Sequence, residues 1–259
     1  MALFTTDFFM AKTLSRGFSI NVFLPDSILQ SKNMAGTYPT IWLLHNIGGN
    51  HADWSRFTMA EALTGRAGFA CIMPSIDFSF CANIDSGRYE DFLAEELYRY
   101  CCTMYPISTH REAHFLLGYG LGGYAAMRLA LARPDRYVGA CSINGANIAQ
   151  LFPSIPDVEQ ENQCALSLPP LNQATLCGSQ FDLYYLAQSI VSGGLPRPRL
   201  WGYSSKDSET ADQMKKDALF LQEAGLHYEL QQVPPMSPHK CMNDCLAAFL
   251  DALDFNGNE

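Results

Sequence analysis

No stretch of the chain reaches the roughly 18 consecutive apolar residues that a membrane-spanning helix requires. The N-terminal MALFTTDFF carries no basic flank ahead of an apolar run, which is what an export signal needs, so a cytoplasmic protein is expected. Positive charge is scarce. The 17 Lys and Arg face 26 Asp and Glu for a net charge of −9, so nucleic acid or an anionic membrane would be repelled at long range and neither is expected as a partner. Repeats and low-complexity segments are also missing, which excludes solenoids and linkers. The nine cysteines are an odd, scattered set, so at least one thiol cannot pair internally, as suits a reducing compartment better than a disulfide framework. Cys241 and Cys245 stand one helical turn apart, but no second ligand pair follows them. They read as helix packing, and no metal site is expected.

What is present is ordinary globular material, 48% hydrophobic and 17% charged, in 259 residues that one α/β domain spanning 1–259 can accommodate. Apolar and polar residues alternate through 18–24 as in a half-buried strand, and the Phe8-Phe9 segment can pair with it as an antiparallel hairpin. Short continuous apolar runs follow at 40–44, 69–73, 114–117, 138–143, 199–203 and 228–233. Between them, helical spacing of apolar positions marks 89–105, 121–132, 208–224 and 239–253. Strands buried on both faces with crossover helices require this rhythm, so a mostly parallel sheet with helices on both faces is predicted. The stretch 147–195 breaks the pattern with prolines and has one good helical patch at 181–190. A long connection of this kind reads as a small cap over a site, with Tyr184 and Tyr185 as candidates for shaping recognition.

One absence concerns chemistry. The strand Phe115-Leu116-Leu117 runs into Gly118-Tyr119-Gly120-Leu121-Gly122-Gly123, and a helix follows at once. This is the context of the nucleophile elbow G-x-S-x-G, with Gly120 standing where the serine belongs. The same glycines satisfy a G-x-G-x-x-G dinucleotide pattern, but they come after three earlier strands rather than at the start of the chain. The surrounding residues favour the elbow. A strand ends at His45-Asn46-Ile47-Gly48-Gly49, a Gly-rich turn suited to donating a backbone N–H to an oxyanion, and the residue after the elbow donates the other, so Ile47 and Leu121 are the candidates. Asp207 lies just past one strand end and His239 just past the next. The order elbow, Asp, His is the one this fold uses, with His239 as base and acid and Asp207 as its orienting partner.

Together the segments SINVFLPD, YPTIWLLHNIGGNHADW, YEDFLAEEL and GYGLGGYAAMRLALARPDRY resemble esterase D, S-formylglutathione hydrolase and the related tributyrin and feruloyl esterases, over nearly the whole chain. The resemblance implies an α/β-hydrolase fold, hydrolysis of short acyl esters or thioesters through Ser, His and Asp, and no cofactor. Carried over by position, the nucleophile falls on Gly120, the acid on Asp207, the base on His239 and the oxyanion donors on Ile47 and Leu121. Asn46, Tyr119 and Asp77 are expected to line the substrate pocket. The usual His-Gly of the oxyanion turn is here His45-Asn46, and the aromatic residues that often follow the catalytic His are absent. The partner expected is a small ester or acyl ligand, and a homodimer is compatible with the chain. Glycine cannot form an acyl-enzyme. Three readings stay open: an esterase whose native serine was replaced by the glycine at position 120, a His239/Asp207 pair that activates water without acylation, or a pocket that binds esters without turnover.

Overall fold

In the computed structural model, residues 2–25, 36–151 and 173–253 are described. The strands are β1 (Ala2–Ala11), β2 (Arg16–Leu24), β3 (Thr40–Leu44), β4 (Ala70–Pro74), β5 (Asn83–Ile84), β6 (Gly87–Arg88), β7 (His114–Tyr119), β8 (Gly139–Ile143), β9 (Arg199–Ser205) and β10 (Tyr228–Val233). Eight of them form one sheet in the order β1-β2-β4-β3-β7-β8-β9-β10, and β5 pairs with β6 as a separate small hairpin. The β1–β2 and β2–β4 pairs are antiparallel, and every other pair in the large sheet is parallel. This is the α/β-hydrolase architecture, with the expected antiparallel hairpin at its N-terminal edge.

The helices are α1 (Asp53–Phe57), α2 (Ala60–Ala67), α3 (Tyr89–Asp91), α4 (Tyr98–Met104), α5 (Leu121–Ala132), α6 (Ile148–Leu151), α7 (Gln173–Leu176), α8 (Leu183–Ser192), α9 (Ala211–Glu223) and α10 (Pro238–Ala252). The single helix expected over 89–105 is instead α3 and α4 joined by a π-helical segment, Phe92–Leu97. Phe92, Leu93, Ala94 and Leu97 are all buried there, an apolar face that the wider π turn carries. Helix α10 starts at Pro238, which has no N–H to leave unpaired at a first turn, and buries Cys241, Cys245, Leu246, Phe249 and Leu250 along one stripe.

Because successive side chains on a strand point to opposite faces, the sheet sorts its own core. Trp42, Leu44, Ile72 and Leu116 face one cluster, beneath α5, α8 and α9. Ile41, Leu43, Cys71, Phe115, Leu117, Cys141 and Trp201 face the other, beneath α10. Of the stretch 147–195, expected to form a small cap, the described residues form α6, α7 and α8, while 152–172 lie outside the described residues. Asn147 ties this region down, its N–H donating to Asp217 at 2.8 Å and its side-chain amide to Asp182 at 2.9 Å. The Tyr184 hydroxyl donates to Asp217 at 2.8 Å and its ring stacks on Phe220 at 3.8 Å. Tyr184 therefore anchors α8 to α9, and its hydroxyl is already engaged rather than free for a ligand.

Candidate active site

Strand β7 ends at Tyr119 and α5 begins at Leu121, so Gly120 alone makes the turn, at φ 57° and ψ −125°. Side-chain-bearing residues rarely adopt this backbone shape, and nucleophile elbows hold it under strain. Gly120 N–H donates to Ile143 O at 2.8 Å, and its carbonyl accepts from Tyr124 N–H at 3.1 Å. The flanking glycines let three backbones touch: a Cβ on Gly118 would lie 2.2 Å from the Gly122 carbonyl, and one on Gly122 2.3 Å from His45 O.

The second backbone is the turn after β3. His45 is buried, and its two ring nitrogens are both engaged: Nδ1–H donates to Asn46 O at 2.7 Å, and Nε2 accepts from Ile76 N–H at 2.8 Å. These partners select the neutral Nδ1–H tautomer, and burial pushes its pKa down, in the same direction. Asn46 O also accepts from Gly49 N–H at 3.1 Å, and Trp54 Nε1–H, on α1, donates to Leu44 O at 3.0 Å, so the turn is held from several sides. Of the two expected oxyanion donors, Ile47 is exposed and its N–H has no partner among the described residues. Leu121 N–H donates to Asn46 Oδ1 at 2.9 Å.

A cleft of about 10 Å³, room for a single water, lies between this turn and the loop after β4, where Asn46, Ile47, Leu121, Asp77, Phe78 and Phe80 meet. Asp77 accepts hydrogen bonds from Arg16 and from the Tyr89 hydroxyl. Asp77, Phe80 and Cys81 all have positive φ, at 46°, 52° and 56°. Such strain in side-chain-bearing residues concentrates at sites that the surrounding structure holds in place. Tyr119 does not line the cleft as expected: it packs on the α10 side of the sheet, where burial raises the pKa of its phenol.

The residues expected as acid and base are not joined to each other. Asp207 is exposed in the turn after β9 and accepts from the Ser205 hydroxyl. His239, at the start of α10, is exposed and lies flat on Phe57, with ring centroids 5.0 Å apart and planes 3° apart. Both belong to the described residues, and no hydrogen bond or ion pair joins them. They come from the carboxyl ends of neighbouring strands, as expected, but the side chains do not form a relay.

The sequence model of the Esterase family matches residues 11–225. The chain belongs to the Esterase family. An acetyl esterase of Caldicellulosiruptor saccharolyticus is 28% identical over 162 residues, a match spanning 60% of this chain and 60% of the relative's length. Among solved structures, the fluorophosphonate-binding serine hydrolase FphF of Staphylococcus aureus superposes with a TM-score of 0.82 at 21% identity, covering 97% of this chain and 98% of that one. The S-formylglutathione hydrolase FrmB of the same organism gives 0.83 at 20% identity, with the same coverages. These likenesses establish the fold and agree with the resemblance read from the sequence.

The sequence did not single out Asn144, which organises the turn that carries Asp207. It closes β8 at φ 54°, a left-handed conformation that Asn tolerates better than most residues. Its Oδ1 accepts from Ser205 N–H at 2.8 Å, and its carbonyl from the Thr210 hydroxyl at 2.9 Å, which fixes the turn that carries Asp207. An Asn directly after a buried strand is the only signal for it in the sequence, and that signal is shared with many plain turns. Phe57, beneath the His239 ring, left no signal at all. Among the described residues no three His, Cys, Asp or Glu side chains are grouped so as to hold a metal ion.

Proposed function

We propose that this Esterase-family chain recognises a small ester or acyl compound at the elbow but does not hydrolyse it through an acyl-enzyme. The observation that carries the reading is Gly120 itself: the elbow keeps its positive-φ turn and its close glycine packing, yet presents no oxygen or sulfur that could attack a carbonyl. The separation of Asp207 from His239 supports it, since a general base works when a partner fixes its tautomer and direction. The same separation counts against water activation by that pair. The ligand class is supported by the relatives, an acetyl esterase and an S-formylglutathione hydrolase. Ile47 N–H is the backbone donor left open to a ligand carbonyl, and Asp77 with Arg16 forms the polar edge of the cleft. A cytoplasmic setting belongs to the same proposal, supported by the absence of any disulfide among the described cysteines.

The test uses p-nitrophenyl acetate and a fluorophosphonate probe. The unchanged protein is expected to release nitrophenol no faster than its His239→Ala variant, with no burst equal to the enzyme concentration, and to keep its intact mass after the probe. The non-hydrolysable amide 4-nitroacetanilide should shift the backbone resonances of Ile47 and Leu121. A burst, or turnover lost on removing His239, would refute the reading.

A further inference from the structure

The elbow is not empty. A Cβ placed on Gly120 would lie 2.4 Å from Asn46 Oδ1, 2.8 Å from its Cγ and 3.0 Å from its Nδ2. The whole carboxamide therefore stands in the volume that any side chain at position 120 would need. Its oxygen is also the atom that accepts from Leu121 N–H, at 2.9 Å. An amide carbonyl oxygen in that place presents to the N–H what an ester carbonyl would present: a planar, neutral acceptor.

We propose that the Asn46 side chain is an internal occupant of the oxyanion site, made possible by Gly120, and that it must turn out before any ligand carbonyl reaches Leu121 N–H. Three further observations carry this. The backbone of Asn46 is clamped by His45 Nδ1–H and Gly49 N–H on its carbonyl, so movement is left to the side chain. Leu121 N–H, an orphan donor of the first turn of α5, has Asn46 Oδ1 as its protein acceptor, so the contact meets a real need of the helix end. The cleft with the amide in place holds only about 10 Å³, too little for an acyl group and enough for one water. Position 120 and position 46 are thus one device: a side chain at 120 and an amide at 46 exclude each other. This deepens the proposed ligand site and rests on it for its functional meaning, whereas the contact itself can be tested without any ligand.

The experiment is a double-mutant cycle of Gly120→Ser and Asn46→Gly, read by urea unfolding and by the 1H–15N resonance and hydrogen exchange of the Leu121 amide. Backbone strain from serine at positive φ is present in both backgrounds and cancels in the cycle, which leaves the contact between the two side chains. Gly120→Ser is expected to raise the unfolded-to-folded ratio at least about tenfold more when Asn46 is present than when it is glycine. Asn46→Gly alone should move the Leu121 amide resonance and speed its exchange. If Asn46→Gly unfolds the protein, Asn46→Ala, which removes only the carboxamide, takes its place in the cycle. Equal losses in the two backgrounds, or a Leu121 amide indifferent to Asn46, overturn the inference. Hydrolysis by the unchanged protein would instead sink the proposed function and leave both of these readouts intact.

Discussion

Gly48 and Gly122 are both glycines of the site, and they are there for different reasons. Gly48 has φ 74° and open space where a Cβ would go, so only its backbone conformation asks for glycine. Gly122 has an ordinary helical backbone, but a Cβ there would meet His45 O at 2.3 Å and Leu44 O at 2.5 Å, backbone atoms that cannot step aside cheaply. Gly48→Ala is expected to cost about 1 kcal/mol, the ordinary penalty of a left-handed L-residue. Gly122→Ala should cost about 3 kcal/mol, as overpacking does where the neighbours are fixed. Urea unfolding of the two variants checks the order, and a Gly122→Ala protein as stable as Gly48→Ala would mean that α5 and the turn after β3 are free to separate.

The elements show how the strained loop after β4 is kept in place. Arg128, on α5, is fully buried; its guanidinium donates to Cys81 O at 2.7 Å, to Gln180 O at 2.9 Å and to Glu90 at 2.6 Å. One side chain thus ties the positive-φ loop, the turn before α8 and the helical segment at Glu90 to the elbow helix. Arg128→Met would leave Glu90 and two carbonyls without their donor. Breaking a buried pair in this way is expected to cost about 3–5 kcal/mol, and lysine, which lacks the planar fork, should recover only part of it. Unfolding measurements give the loss, and amide exchange at 77–82 should rise in step. Most of these elements were readable from hydrophobic periodicity, because strands buried on both faces and helices with one apolar stripe write different periods. The π-helical segment was not readable, since 92–97 has the same apolar spacing that a plain helix would have. Nor was Arg128: an arginine within an apolar helix carries no mark of which backbone carbonyls it will reach.

On the scale of the whole molecule, the core holds a histidine that couples folding to pH. His114, at the start of β7, is fully buried; Trp42 Nε1–H donates to its Nδ1 at 3.2 Å, and its Nε2–H donates to Ser108 O at 2.6 Å. Both nitrogens are committed in the neutral form, and burial lowers its pKa to about 4. A lowered folded-state pKa means that the unfolded chain binds the proton more readily. The stability tied to His114 is therefore complete above the unfolded value near 6.5 and is lost as pH falls through the window down to about 4. The loss should be roughly 3 kcal/mol, with His45 adding in the same direction. Urea midpoints at pH 7 and pH 4.5 read it directly, and in His114→Gln that share of the pH dependence should vanish. An unchanged slope in that variant would place the titration elsewhere.

The sequence alone determined the sheet, its antiparallel edge, the family and the glycine at the elbow, because these rest on local signals: side-chain period, glycine spacing, and the order of elbow, Asp207 and His239 along the chain. It also marked Asn46 as a departure from the usual His-Gly of that turn. Only the tertiary structure decided what its side-chain amide does. Leu121 N–H and Asn46 Oδ1 are 75 residues apart in the chain and 2.9 Å apart in space, and no period or motif carries such a distance. The same holds for His239 resting on Phe57 rather than on Asp207. Where a side chain turns is settled by the packing of elements remote in sequence, and here that packing set two familiar residues apart and placed an unfamiliar one at the elbow.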